Sequence, residues 1–188
     1  SANSGKGMLL GGISGIPPTK VVIIGAGIVG EYAARTALAV GASVKVFDNN
    51  IYKLKRLQNN IGVRLWTSVL EPKILSKQLK TCDVAVGALS LSSGRTPVVV
   101  TEEMVSMMRP GSVIMDVSID RGGCFETSEV TSHEHPVVTK YDVIHYLRET
   151  YLKSDNPTQY KTVEQTYLAA LPVGKTFGPE PSKFEPWV

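Results

Sequence analysis

Between residues 19 and 146, short apolar and β-branched runs alternate with longer stretches whose apolar residues recur at helical spacing. The runs at 20–25, 43–48, 63–67, 83–87, 112–117 and 143–146 predict strands, and the helical patterns at 27–40, 50–59, 71–80 and 101–108 fall between the first five of them. Most of these strands are apolar at successive positions and do not alternate with polar ones. That pattern predicts a parallel sheet covered on both faces, hence a doubly wound α/β domain. Thr101 before Glu102 and Glu103 supplies a cap and an acidic first turn, while Arg109-Pro110-Gly111 ends that helix and turns into the next strand.

The rhythm sets three segments: residues 1–19, rich in Gly and Pro; a domain at 20–146; and a tail at 147–188 carrying Pro157, Pro172, Pro179, Pro181 and Pro186. In the tail, Asn156 can cap a helix starting at Pro157, with Tyr160, Val163, Tyr167, Leu168 and Leu171 on one side. Phe177, Phe184 and Trp187 follow as spaced aromatic anchors, so the tail is expected to be irregular, partly helical and used for docking. The competing expectation is that its helix folds back on the sheet.

Val21-Val22-Ile23-Ile24-Gly25-Ala26-Gly27-Ile28-Val29-Gly30 places G-x-G-x-x-G directly after an apolar strand and at the opening of an Ala-rich helix. That context is the fingerprint of a Rossmann-type dinucleotide site. Gly25 permits the tight turn, Gly27 the approach of backbone to a pyrophosphate, and Gly30 the close packing of helix on strand. The helix N-terminus offers unpaired N–H groups to the phosphates, which brings Ala26, Ile28 and Val29 into the candidate site. The second strand ends in Asp48, 18 residues beyond Gly30, where a carboxylate can accept from both ribose hydroxyls. A 2′-phosphate would meet like charge there, and Asn49-Asn50 supplies no arginine to receive it. NAD is therefore the expected cofactor.

Composition narrows the remaining classes. The 43% apolar and 20% charged fractions describe a globular chain, and a net charge of +3 with no basic stretch beyond Lys53, Lys55 and Arg56 argues against nucleic acid. That trio predicts a solvated helix face. Cys82 and Cys124 lack CxxC spacing and are expected to be free thiols in the cytoplasm or another reducing compartment. No apolar run reaches the roughly 18 residues of a membrane span, and the first residues lack a signal-peptide pattern. His133-Glu134-His135 has no completing ligand at zinc spacing, Gly174-Lys175-Thr176 lacks the first glycine of a P-loop, and no nucleophile elbow occurs. No metal site is predicted.

Residues 5–18, Gly-Lys-Gly-Met-Leu-Leu-Gly-Gly-Ile-Ser-Gly-Ile-Pro-Pro, and 116–128, Asp-Val-Ser-Ile-Asp-Arg-Gly-Gly-Cys-Phe-Glu-Thr-Ser, resemble alanine dehydrogenase. The resemblance runs from about Gly5 to Tyr146, and Gly122-Gly123-Cys124-Phe125-Glu126-Thr127-Ser128 is its most specific part, since the related proton-translocating transhydrogenases differ after the double glycine. It implies oxidative deamination of L-alanine to pyruvate and ammonia with NAD. It further implies a hinge at Gly11-Gly12, Asn49 beside the ribose acid Asp48, Ser68 near the adenine or its ribose, Ala88 and Leu89 along the cofactor channel, Ile119 near the nicotinamide and Asp120 as the active-site aspartate. The family's substrate domain has no counterpart before Gly5, and none of His133, His135 and His145 matches the family's catalytic histidine. After Tyr146 the chain reads Leu147-Arg148-Glu149-Thr150 where the family has an Asn-Pro turn. The expectations are thus an NAD-binding half acting with a missing substrate domain or docking partner, as an oligomer or subunit of a larger assembly. The alternative is a non-catalytic, dehydrogenase-derived subunit with a structural or regulatory role.

Overall fold

The computed structural model describes residues 8–90, 94–129 and 137–146. The expected tail, the 133–135 motif and the Gly174-Lys175-Thr176 motif lie outside the described residues.

Seven strands form one sheet in the order β3-β2-β1-β4-β5-β7-β6. They are β1 (Lys20–Ile24), β2 (Ser43–Phe47), β3 (Trp66–Ser68), β4 (Val84–Gly87), β5 (Val113–Asp116), β6 (Val137–Lys140) and β7 (Val143–Tyr146). All neighbouring pairs are parallel except β6 with β7. The chain winds outward from β1 through β2 to β3, then returns to β4 on the other side of β1 and continues to β5. This is the Rossmann-type doubly wound arrangement, and it puts a reversal of strand order between β1 and β4.

The side-chain period of two divides the core into two layers. Val21 and Ile23 point into the layer shared with Ala33, Ala34 and Ala37 of α1 (Ile28–Ala39) and with Leu54 and Leu57 of α2 (Ile51–Ile61). Val22 and Ile24 point the other way, against Leu75 and Leu79 of α3 (Pro72–Leu79) and Val105 of α4 (Glu102–Ser106). Alanines along α1 let that helix lie close to the sheet. Each fully buried large apolar side chain contributes about 1.5–3 kcal/mol, so these two layers hold both faces of the sheet.

The helix starts have local causes. Thr101 accepts from the Met104 amide as expected, Asn50 caps α2 by accepting from Lys53 N–H, and Glu71 caps α3. Gly62, left-handed at φ 75°, closes α2. Two features were not anticipated: the short antiparallel β6, and a 3-10 turn at Ile119–Arg121. β6 is a four-residue, half-exposed edge strand following Pro136, too short for its own period to identify it. Near the start, Gly11 packs against Gly41 just before β2: a Cβ on Gly41 would lie 2.9 Å from the Gly11 Cα.

Candidate functional site

Strands β1 to β5 end in register. Ser68, Phe47, Ile24, Gly87 and Asp116 form one row across the sheet, and each is followed by a turn at the same edge. Ladder bonds continue one step past the row: Gly25 N–H donates to Phe47 O (2.7 Å), Ala88 N–H to Ile24 O (2.7 Å) and Val117 N–H to Gly87 O (2.8 Å). Doubly wound sheets bind ligands outside the carboxyl ends of their strands, where the order reverses. Here that point is the crevice between the exits of β1 and β4.

The glycines build it. Gly25 has φ +114°, and a Cβ there would lie 2.4 Å from the Ala88 carbonyl oxygen, so the turn after β1 rests directly on the exit of β4. A Cβ on Gly30 would fall 1.9 Å from the Gly25 carbonyl oxygen, which fixes the helix against the turn. Gly27 is different: nothing lies within 4 Å of a Cβ placed on it. It is the N-cap of α1 with no side chain closing the first turn, so Ile28, Val29 and the N-terminal amides of the helix face an open approach.

Asp48 is buried, with Oδ2 accepting from Ala26 N–H (2.8 Å) and Oδ1 from Asn50 N–H (2.7 Å). One carboxylate thus ties the exit of β2 to the glycine turn and to the start of α2. Two donors occupy about half of the roughly four lone-pair sites a carboxylate offers, leaving acceptor capacity for hydroxyls. From the other side Arg56 Nη2 donates to Ala26 O (3.1 Å). Arg56 stays exposed on α2, as expected of a solvated helix face, and one of its guanidinium nitrogens also braces the turn. Asn49 turns its side chain toward the exit of β3, where its Oδ1 accepts from Leu70 N–H (3.0 Å), and Ser68 Oγ donates to Val69 O.

Beyond β4 and β5 lie Ala88, half-buried Leu89 and buried Ile119, with exposed Asp120 next to Ile119 on the 3-10 turn. The turn is held by Arg121 N–H and Gly123 N–H donating to Ser118 O, and Thr96 N–H donates to Arg121 O (2.8 Å). The expected site residues from Gly25 to Gly30, with Asp48, Asn49, Ser68, Ala88, Leu89, Ile119 and Asp120, thus all fall on the exits of β1 to β5 at one edge.

Sequence reasoning gave no role to Asp116. Its buried carboxylate accepts from Ser118 N–H and Oγ–H, Cys124 N–H (2.8 Å), Phe125 N–H (3.3 Å) and Ser128 Oγ–H (2.8 Å). Burial, and then the negative Asp116 beside it, push the Cys124 thiol well above its usual range. Cys124 is a packed neutral thiol, and Cys82 is also buried and free of disulfide. The signal for Asp116 was present as an acid ending an apolar strand, one register step before the position that Asp48 holds just past β2.

His145 is fully buried. Its Nδ1–H donates to Val143 O (3.1 Å), which leaves Nε2 to accept from the Thr127 hydroxyl (2.8 Å), and burial lowers its pKa below the ordinary value. Among the described residues no group of three or more His, Cys, Asp or Glu could hold a metal ion, and no helix is long and apolar enough to cross a membrane.

Residues 1–159 match the family model described as alanine dehydrogenase/PNT, C-terminal domain. The chain is similar to alanine dehydrogenase of Mycolicibacterium smegmatis, 42% identical over 142 residues, which are 76% of this chain and 38% of that protein. It is also similar to alanine dehydrogenase of Methanococcus maripaludis, 43% identical over 143 residues, again 76% of this chain and 38% of the relative. A solved L-alanine dehydrogenase superimposes with TM-score 0.74 at 39% identity, covering 78% of this chain and 41% of that one. A Sinorhizobium meliloti transhydrogenase, at TM-score 0.66 and 24% identity over 76% of this chain and 42% of its own, shares the fold. The chain spans about two-fifths of the length of the relatives it matches.

Proposed function

Because the chain belongs to the alanine dehydrogenase/PNT family through its C-terminal domain, we propose that it is the NAD(H)-binding part of an alanine dehydrogenase-like oxidoreductase. The observation that carries the reading is the Asp48 carboxylate, fixed to Ala26 N–H at the reversal of strand order with acceptor sites to spare. In this reading Gly25, Ala26 and Gly27 and the amides of Ile28, Val29 and Gly30 hold the pyrophosphate. Asp48 accepts from the ribose hydroxyls, with Asn49 beside it, and Ser68 lines the adenine side. The other half of the dinucleotide then lies across the exits of β4 and β5, along Ala88, Leu89 and Ile119.

When bound, NAD would accept hydride from the substrate carbon. The residues of this chain bind and orient: the glycine turn excludes side chains from the phosphates, and Asp120 stands beside the reacting carbon. The substrate is L-alanine, deaminated with water to pyruvate and ammonia. The groups that hold the amino acid's carboxylate are assigned to the part of the relatives outside the matched region. In this reading the chain works with a substrate-binding domain or partner.

Titration calorimetry with NADH and NADPH tests the cofactor reading. NADH is expected to bind at least about tenfold more tightly, since a 2′-phosphate meets the buried Asp48 carboxylate. Equal or tighter NADPH binding overturns it. For the enzyme reading, NADH formation from L-alanine by the complete protein or assembly should be abolished by Asp120→Asn.

A further inference from the structure

The loop after β5 has an unusual internal anchor. Asp116 is 2% exposed, and the donors that its two carboxylate oxygens collect span residues 118–128. The surroundings are shaped to admit it. A Cβ on Gly87 would lie 2.6 Å from Asp116 Oδ1, and one on Gly123, which has φ +73°, would lie 2.7 Å from Oδ2. Two glycines from two different segments are thus required by one carboxylate.

The donors saturate it. Five N–H or O–H groups converge on about four lone-pair sites, with the Cys124 thiol a sixth, weaker contact on Oδ1 at 3.7 Å. Asp116 therefore has no capacity for a ligand hydroxyl or amide. What it does is close residues 116–128 into a loop. The stem of the loop is tied to the sheet layer by Val99 and Val100 N–H donating to Cys124 O and by Glu126 N–H donating to Val100 O. The Ile119–Arg121 turn is left as its apex.

The topology says which part of a dinucleotide meets that apex. With the pyrophosphate at the turn after β1 and a ribose at Asp48 after β2, the adenosine half lies on the β2–β3 side of the crevice. The other half must cross to the β4–β5 side. We propose that Asp116 is a positioning residue for the nicotinamide end: by gathering the backbone and hydroxyl donors of 118–128 it holds Ile119 and Asp120 against that end and touches no ligand itself. This rests on the nucleotide-binding reading above.

The test compares two ligands on the full chain, well below its melting temperature. ADP-ribose reports the adenosine and pyrophosphate half, while NADH, followed by the fluorescence of its dihydronicotinamide, reports both halves. Asp116→Asn keeps the shape but turns one acceptor into a donor aimed at N–H groups. It is expected to weaken NADH binding roughly tenfold and to reduce the fluorescence enhancement, with ADP-ribose affinity kept within about twofold. Ser128→Ala removes one donor and leaves the carboxylate in place. It should move NADH in the same direction by about threefold, and it carries the comparison if Asp116→Asn does not fold. Equal weakening of both ligands, or no change in either, overturns the assignment. So does a wild-type chain that binds NADH no more tightly than ADP-ribose, although the nucleotide reading then survives. A wild-type chain that binds neither overturns both.

Discussion

The exits of β2 and β5 use the same device to different ends. β5 finishes at an aspartate and β2 is followed at once by one, both nearly inaccessible to solvent, and each accepts from main-chain amides of a turn that shapes the crevice. Asp48 has two donors, one of them 22 residues away in the glycine turn, and retains acceptor sites. Asp116 has its sites filled from within its own loop. A buried carboxylate at a strand end can thus serve a ligand or serve the fold, and the number of donors already spent on it decides which. The same contrast separates the second and third glycines of the fingerprint. Gly30 is closed against Gly25 O, whereas Gly27 opens on space.

The glycines give the largest effect by which this contrast can be broken. Gly30→Val forces a side chain into the Gly25 carbonyl and should destabilise the fold by at least about 3 kcal/mol in urea unfolding. The Cβ of Gly27→Val has no non-neighbouring protein atom within 4 Å. This substitution should cost less than about 1 kcal/mol in the same experiment while weakening NADH binding at least about tenfold. If Gly27→Val proves as destabilising as Gly30→Val, the two positions do not differ as described. Asp48→Ala comes next. Stranding the Ala26 and Asn50 amides should cost about 2–3 kcal/mol, and any preference for NADH over NADPH should disappear. A retained preference would mean that another group reads the ribose.

His145, packed on Thr127 behind the β5 loop, sharpens the comparison through pH. Burial lowers its pKa in the folded chain, Lys140 adds to that lowering, and the Val143 carbonyl and Glu129 oppose it. A histidine whose folded pKa lies below its unfolded value of about 6.5 leaves stability intact above that pH, and stability falls as pH drops from there through the folded value. Urea midpoints of the wild type should therefore fall more steeply between pH 7 and 5 than those of His145→Gln. Parallel profiles would show that His145 titrates in the fold as it does in the unfolded chain. The smallest effect is expected at Thr96, whose amide holds the Ile119–Arg121 turn but whose Oγ1 is buried with no hydrogen-bond partner among the described residues. Thr96→Val should raise stability by about 1 kcal/mol, and a loss of stability would mean the hydroxyl has a partner in the folded chain.

What the sequence determined was the order of elements and the kind of site. Among the described residues, apolar runs and helical periodicity placed six of the seven strands and all four α-helices, because each of these is stabilised by its own repeating pattern of burial. Gly25, Gly27, Gly30 and Asp48 were legible because a dinucleotide turn demands particular residues at short, fixed spacings. β6 was not, since a four-residue edge strand exists only through its pairing with β7. Only the tertiary structure could bring Arg56 onto the Ala26 carbonyl, turn Asn49 toward Leu70, and collect the donors of 118–128 on Asp116. A carboxylate's role is set by which donors reach it, and donors from separate turns are brought together by strand order and register, which local spacing does not encode.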